Sequence, residues 1–304
     1  MSNLTKLITE SRNERTKRID DMTTEEILTT MNEEDMKVAI AIQTVLPEIE
    51  QAVEAVVQSF ENGGRLFYIG AGTSGRIGIL DAVECPPTFS TSRELVQGII
   101  AGGKGAIEVA VEGAEDSVDL GAEDLKERQI TKADTIIGIA ASGRTPYVAG
   151  ALKYAQEIGA TTVSLTSNEN SVISEFADIK IEVITGPEVL TGSTRLKAAS
   201  AHKMILNMIS TTSMIKMGKV YENLMVDVNI SNQKLLERAI RIIQTVTDAS
   251  YEVAKNMLLQ ANKEVKPAIV MINGDVSYEA AKAYIEEADG YVRQAIRLAE
   301  INKK

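Results

Sequence analysis

Hydrophobic residues between positions 24 and 62 recur every three or four residues, which is the period of an amphipathic helix. The apolar stripe runs from Ile27 to Phe60. Asn62-Gly63-Gly64 ends it, because glycine adopts the left-handed C-cap conformation without a steric penalty. Residues 1–20 mix charges without a regular period. We therefore expect an irregular start followed by N-terminal helices.

After Gly64 the pattern changes to short apolar runs, which are typical of strands buried on both faces. The predicted strands are 65–70, 95–101, 135–141, 161–166 and 179–184. Helical candidates alternate with them, at 75–83, 104–110, 117–128 and 146–158, with a weak one at 172–176 and a long one from Thr194 to Met217. This alternation predicts an α/β fold whose parallel sheet of about five strands is flanked by helices.

The last third of the chain again has a helical pattern. Its predicted helices are 233–247, 250–262 and 278–301, whereas the run Pro267–Gly274 fits either a short strand or a buried helix. Glycine is scarce after Gly218. We expect this region to be a compact helical appendage to the α/β domain.

Charge and composition exclude several classes of function. The formal charge of −11 argues against non-specific binding of nucleic acid, which needs lysine and arginine along a phosphate backbone. With Cys85 as the single cysteine and His202 as the single histidine, the usual zinc sites and an internal disulfide are excluded. The polar start of the chain and the lack of a long apolar run predict a cytoplasmic protein that binds no membrane.

Glycine is concentrated in one part of the chain, since ten of the 21 glycines lie between Gly63 and Gly105. Gly70, Gly72 and Gly75 form a G-x-G-x-x-G pattern after a predicted strand, as in dinucleotide sites. Such a site also needs an acidic residue at the end of the next strand, and that strand ends in IIAGG. A nucleotide is therefore not the expected ligand.

Three hydroxyl-rich turns instead predict a site for a phosphate monoester. Thr73 and Ser74 lie at a helix N-terminus, where backbone amides and the helix dipole attract an anion. The other two turns are ASGRTP, 141–146, and GSTR, 192–195. Because the carboxyl ends of parallel strands face one crevice, we expect the turns to converge there. The alternative for the first loop is a tight turn that needs glycine for steric reasons alone.

Two acidic groups are candidates for proton transfer. Glu84 is placed at or just past the end of a helix that Pro86 and Pro87 are predicted to stop. Glu112 and Glu115 follow the second strand. Paired carboxylates can divide acid and base work where their pKa values differ. The alternative for any one of them is a solvated surface charge, and a lone histidine such as His202 on an apolar helix more often has a structural role.

Four motifs occur together in this chain: YIGAGTSGRIGILDAVECPPTF, AVEGAEDS, IAASGRTPYVAGAL and TGPEVLTGSTRLKAASAHK. The combination closely resembles the N-acetylmuramic acid 6-phosphate etherases, which belong to the sugar-isomerase (SIS) domain superfamily, and the resemblance runs through nearly the whole chain. Glucokinase regulatory proteins share parts of the pattern but carry two SIS domains. We accordingly predict an N-terminal irregular and helical segment, 1–54, one SIS domain, 55–218, and a C-terminal helical region, 219–304.

The resemblance implies a cofactor-free lyase that cleaves the lactyl ether of a phosphorylated amino sugar and releases lactate, and it implies site residues by their position in the motifs. Glu84 carries over as the proton donor to the departing lactate and Glu115 as the second acid/base group. The implied phosphate or sugar contacts are Gly72, Thr73, Ser74, Ser142, Gly143, Thr145, Ser193, Thr194 and Lys197. It also implies a homodimer, with no metal.

Two other functions stay open at the level of sequence. An aldose–ketose isomerase would use the same fold, the same phosphate loops and a glutamate base, but it releases no lactate. A non-enzymatic sugar-phosphate sensor would bind through the loops and contact a partner through the helical region. A sensor has no need of both glutamates, so the presence of Glu84 and Glu115 favours the lyase.

Overall fold

The computed structural model describes residues 7–109, 111, 113–230 and 232–302. The chain forms two compact units. We call them the sheet unit, Met1–Val83 with Arg93–Ser210, and the helical unit, Glu84–Ser92 with Thr211–Lys304. The domain limits predicted at residues 54 and 218 stay predictions. In the described part of the chain, none of the helices combines the length and the apolar character that a membrane crossing needs.

The N-terminal part of the sheet unit is more regular than its sequence suggests. Short 3-10 helices, Ile8–Glu10, Glu14–Thr16 and Ile19–Asp21, precede α1, Thr24–Gln43, and α2, Leu46–Glu61. The predicted helical segment is thus two helices. A new helix starts at Leu46 because Pro47, which has no N–H group, is accommodated in a first turn. Thr23 and Glu26 form a capping box at the start of α1.

The predicted parallel sheet is confirmed. Among the described residues its strands are β1, Leu66–Gly70, β2, Val96–Ile100, β3, Thr135–Ile139, β4, Thr161–Thr166, and β5, Ile179–Glu182. The order is β2-β1-β3-β4-β5, with every pairing parallel. Helices α4, Val118–Glu127, and α5, Pro146–Ile158, share an apolar core with β1 and β3. Burial on both faces explains why the strands are apolar runs without alternation.

The strand order reverses between β1 and β3. From β1 the chain crosses to β2 on one side, and it then returns to β3 on the other side. The register pairs Gly70 with Ile139, so the loops that follow these two strands leave the same edge side by side. In open α/β sheets ligands bind in the crevice at this switch point. The fold therefore places the first two predicted turns where a ligand is expected.

Helix α3, Gly72–Phe89, contains Pro86 and Pro87. The prediction that these prolines stop the helix at Glu84 is wrong. They occupy the last turn, so the bonds lost with their N–H groups lie at the end of the helix, and α3 continues to Phe89. It ends at Ser90, whose φ of 51° is left-handed and whose N–H donates to the Pro86 carbonyl at 3.0 Å.

The helical unit is built around its own apolar core. After α6, Lys197–Lys216, come a hairpin of β6, Val220–Tyr221, and β7, Leu224–Met225, and then α7, Gln233–Thr247, α8, Tyr251–Gln260, α9, Val265–Gly274, α10, Tyr278–Glu287, and α11, Val292–Ile301. The ambiguous run Pro267–Gly274 is helical. The predicted helix 278–301 is two helices, because Asp289 and Gly290 both have positive φ.

Candidate active site

The first turn joins β1 to α3 by a close backbone approach. A side chain at Gly75 would begin 2.7 Å from the Gly70 carbonyl oxygen, so the steric reason for glycine holds at this position. Gly72 has a φ of 53° and opens the helix, and Thr73 and Ser74 lie half-buried in its first turn. The first amides of a helix have no acceptor within it. The turn therefore offers amides and two hydroxyls to an anion.

The second turn follows β3 and leads into α5. Gly143 has a φ of 68°, and a side chain there would begin 2.0 Å from Ser171 Oγ, so no other residue fits. Ser142 Oγ accepts from the Arg144 amide at 3.3 Å, and Thr145 is the N-cap of α5. Because β1 and β3 are in register, the structure brings this turn beside Thr73 and Ser74. The helix start and the hydroxyls of both turns suit one phosphate group.

The third turn lies farther along the sheet, after β5. The Ser193 amide donates to the Leu190 carbonyl and the Thr194 amide to the Gly192 carbonyl, both at 3.0 Å. Glu188 then accepts from the amides of Lys197 and Ala198 at 3.0 Å, which caps the start of α6. Two strand positions separate this turn from β3, so it does not share the β1–β3 switch point.

Lys197 forms an ion pair with a residue of the same chain. Its side chain is 1% exposed and its Nζ donates to Glu34 Oε2 at 2.7 Å. Lys37 Nζ lies 2.5 Å from the other oxygen of Glu34, and Arg15 reaches that oxygen at 3.3 Å. Burial by itself raises the pKa of Glu34, but hydrogen bonds from Lys197 and Lys37 and the charge of Lys197 outweigh it and lower the pKa to about 2. The structure thus gives the Lys197 ammonium a buried ion pair.

Glu84 lies on α3, before the two prolines of its last turn, and is exposed. In this structure the residues from Glu84 to Ser92 belong to the helical unit. The next residue, Cys85, is buried. The side chain of Glu84 is therefore open to solvent, whereas the adjacent Cys85 on the same helix is packed in the interior.

Asp81, one helical turn before Glu84, was missed by sequence reasoning. This buried carboxylate accepts from Tyr68 Oη at 2.8 Å, Asn207 Nδ2 at 2.6 Å and Ser210 Oγ at 3.1 Å. The bonds join α3 to β1 and α6 within the sheet unit. An acidic residue within the apolar run from Ile77 to Val83 was the available clue.

Glu115 is exposed on a 3-10 helix, Ala114–Asp116, between β2 and α4. Glu112 lies outside the described residues. From α3, Arg76 donates to the carbonyls of Ala106 and Ile107 at 2.8 Å, which fixes the segment after β2 against the first turn of the site. The predicted helix 104–110 is a 3-10 helix, Lys104–Ile107, with Ala110 outside the described residues.

His202 is fully buried, and its Nε2 lies 3.0 Å from Ser167 Oγ. Burial lowers the pKa of His202 to about 4, so the ring is neutral near pH 7. The described residues contain no cluster of three or more His, Cys, Asp or Glu side chains that could hold a metal ion. A structural role for His202 agrees with this burial.

Comparison with known proteins identifies similar domains along the chain. Family models match for the N-terminal SIS domain of glucokinase regulatory protein over residues 48–156, the SIS domain over 117–215 and the C-terminal lid domain of glucokinase regulatory protein over 222–288. A phosphoheptose isomerase from Francisella tularensis is similar in structure, with a TM-score of 0.50 and 20% identity, covering 64% of this chain and 100% of that one. At that identity the likeness shows the fold.

Closer relatives extend over almost the entire sequence. The N-acetylmuramic acid 6-phosphate etherase of Bacillus subtilis is 60% identical over 97% of both chains. The N-acetylmuramic acid 6-phosphate etherase 2 of Lactiplantibacillus plantarum is 55% identical over 97% of this chain and 99% of its own. Similarity at this level includes both the α/β sheet and the helical region. This chain therefore belongs to the N-acetylmuramic acid 6-phosphate etherase family.

Proposed function

We propose that this protein is a carbon–oxygen lyase that cleaves the D-lactyl ether of N-acetylmuramate 6-phosphate, giving N-acetylglucosamine 6-phosphate and D-lactate in cell-wall amino-sugar recycling. The observation that carries the proposal is the near-full-length identity of 60% to an etherase of that name. The two hydroxyl-bearing turns at the switch point support it, because a sugar 6-phosphate needs an anion site of this kind.

Phosphate binding is assigned to the paired turns. The start of α3 supplies amides together with the hydroxyls of Thr73 and Ser74, and the second turn supplies Ser142 and Thr145. Gly72 and Gly143 both have positive φ, a conformation that glycine adopts without strain, and in this proposal their turns direct these groups at one phosphate. Local amides must outweigh the net charge of −11. Ser193 and Thr194 are proposed as sugar contacts on the rim.

The proposed chemistry uses carboxylates for every proton transfer. Opening of the sugar ring exposes the C1 aldehyde, which makes the C2 proton acidic enough for a carboxylate base. Its removal and cleavage of the C3–O bond expel lactate, whose oxygen takes a proton from Glu84. Water then adds at C3 of the unsaturated aldehyde and restores the hydroxyl, so that the sum is one ether plus one water. Glu115 is the proposed second acid/base group.

The proposed reaction predicts where solvent oxygen ends. When the protein turns over N-acetylmuramate 6-phosphate in water enriched in oxygen-18, we expect D-lactate without label and a product labelled at C3. Mass spectrometry of both products measures this. Absence of lactate would contradict the etherase and leave the isomerase or the sensor. Label in lactate instead of the sugar would show cleavage on the lactyl side and contradict elimination followed by hydration.

A homodimer is the proposed assembly. Apolar side chains on one side of α1, Leu28, Met36 and Ile40, are each at least 60% exposed, which suits burial against a second copy. Sedimentation equilibrium should give twice the mass of the chain. The double variant Met36→Asp with Ile40→Asp should shift the protein to the monomer. A monomeric wild-type protein at micromolar concentration would contradict this assembly.

A cytoplasmic location is proposed on chemical grounds. The substrate carries a phosphate, and a charged group crosses an apolar bilayer poorly, so the enzyme must share the compartment in which the phosphate is added. The buried free thiol of Cys85 is compatible with a reducing compartment.

A further inference from the structure

The N-terminal segment, residues 7–16, contacts the loops that follow β4 and β5. It is short and rich in polar residues, yet Thr9, Asn13 and Thr16 are buried. Buried polar groups need hydrogen-bond partners. Thr9 and Asn13 have theirs in the loops that follow β4 and β5, whereas the Thr16 hydroxyl bonds within the segment.

Asn168, which follows β4, makes the hydrogen bonds that connect the N-terminal segment to the second turn. Its Oδ1 accepts from the Ile8 amide at 2.8 Å, and its Nδ2 donates to Thr9 Oγ1 at 3.1 Å. The same Nδ2 donates to the Ala141 carbonyl oxygen at 3.0 Å. Ala141 directly precedes Ser142, the first hydroxyl of the second phosphate turn. One buried carboxamide therefore joins the N-terminal segment to that turn.

A second set of contacts connects the N-terminal segment to the region of the third turn. Asn13 Nδ2 donates to the Pro187 carbonyl at 3.2 Å, and a carboxylate oxygen of Glu10 lies 3.3 Å from where a side chain at Gly192 would begin. The N-terminal segment thus approaches the third turn directly and is connected to the second turn through Asn168. Neither set of contacts uses a group of the proposed proton-transfer chemistry.

We propose that Asn168 is a positioning residue for substrate binding, through which the N-terminal segment holds the Ser142–Thr145 turn in its phosphate-binding geometry. The inference rests on the proposed function of that turn. The Ala141 carbonyl also accepts from the Ser167 amide at 3.1 Å, so the carboxamide reinforces an existing bond and does not replace it. Loss of the hydrogen bonds of Asn168 to Thr9 and Ala141 weakens phosphate binding and leaves the proton-transfer groups in place.

The test is Thr9→Val, which preserves the size of the side chain and removes the acceptor. We expect KM for N-acetylmuramate 6-phosphate and the inhibition constant of inorganic phosphate to rise roughly three- to tenfold, the equivalent of one lost hydrogen bond. The turnover number should stay within about twofold, since ordered substrate still meets both glutamates. Thr9→Ser, which keeps the hydroxyl, should restore both constants.

Thr16→Val is the matched control. Thr16 is buried in the same segment, but its hydroxyl makes a local bond to the Asn13 carbonyl. Its KM should equal that of the wild type. Urea unfolding of each variant shows whether a change in KM is a loss of global stability. If Thr9→Val destabilises the fold, Asn168→Asp, which keeps the acceptor for Ile8 and loses both donor bonds, is used in its place.

The outcomes separate this inference from the proposed function. An unchanged KM in a folded Thr9→Val or Asn168→Asp variant, beside a raised KM in Ser142→Ala, would overturn the positioning role and leave the phosphate site intact. If Ser142→Ala also leaves KM and phosphate inhibition unchanged, the proposed site itself is wrong. An equal rise in KM for Thr16→Val would show a general effect of the segment and overturn the role of Asn168.

Discussion

Glu84→Gln should lower the turnover number by roughly 10²–10⁴-fold, the usual contribution of a general acid, with little change in KM. The amide has the shape of the carboxyl group but cannot deliver a proton to the departing lactate oxygen. The fold should be unaffected, because the side chain is exposed and α3 is held one turn earlier by Asp81. Release of D-lactate under saturating substrate measures the effect.

Glu54→Gln is the control for this prediction, since Glu54 is likewise exposed and lies on α2. Exchange of the C2 hydrogen with deuterium from solvent assigns the individual proton transfers. If Glu84 is the donor and Glu115 the base, Glu84→Gln still exchanges C2 hydrogen without releasing lactate, whereas Glu115→Gln does neither. Normal turnover in Glu84→Gln would remove this glutamate from the mechanism, and exchange lost in Glu84→Gln would reverse the assignment.

Glu34→Gln should reduce the free energy of unfolding by about 3–5 kcal/mol, the range found when one partner of a buried ion pair is removed. The substitution leaves the Lys197 ammonium, whose side chain is 1% exposed, without its counter-charge. Urea unfolding at pH 7 measures the change. The neighbouring Glu33→Gln is the matched control, because the side chain of Glu33 is 43% exposed and an exposed pair contributes at most about 1 kcal/mol.

The same ion pair predicts a dependence of stability on pH. The pKa of Glu34 is lowered from 4.5 to about 2, so its contribution is complete above about pH 4.5 and is lost as the pH falls towards 2. The difference in stability between wild type and Glu34→Gln should therefore be constant from pH 7 to about 5 and shrink below that. A difference that stays constant down to pH 3 would contradict the lowered pKa.

The elements that sequence predicts well are those whose pattern reports burial directly. The strands β1 to β5 are buried on both faces, so each is a continuous apolar run that can be recognised without alternating polar residues. The order of these runs, strand then helix along the chain, predicted a parallel sheet. The predicted placement of Thr73 and Ser142 at strand ends is likewise confirmed. The local sequence is sufficient to predict this placement because glycine and hydroxyl residues directly follow both β1 and β3.

Errors arise where local propensity competes with position in an element. Pro86 and Pro87 predicted a helix end, but in a last turn two prolines cost few hydrogen bonds and α3 continues to Phe89. Pro47 had the opposite effect, since it begins α2 within what the apolar stripe suggested was one segment. A periodic pattern reports which face is buried but does not report where the backbone changes direction.

The candidate site shows the same division. By itself the sequence singled out the candidate site residues, namely the three hydroxyl-bearing turns and the glutamates at 84 and 115, because residue type and position after a strand are local properties. Only the tertiary structure decided that strand order sets the first two turns side by side, that Lys197 belongs to a buried ion pair with Glu34, and that Asn168 joins the N-terminal segment to Ala141 at the start of the second turn. These contacts join residues that are 27 to 163 positions apart in the chain. They form because buried polar groups must find partners among the groups that are buried with them on folding, and a local sequence pattern does not show which groups those are.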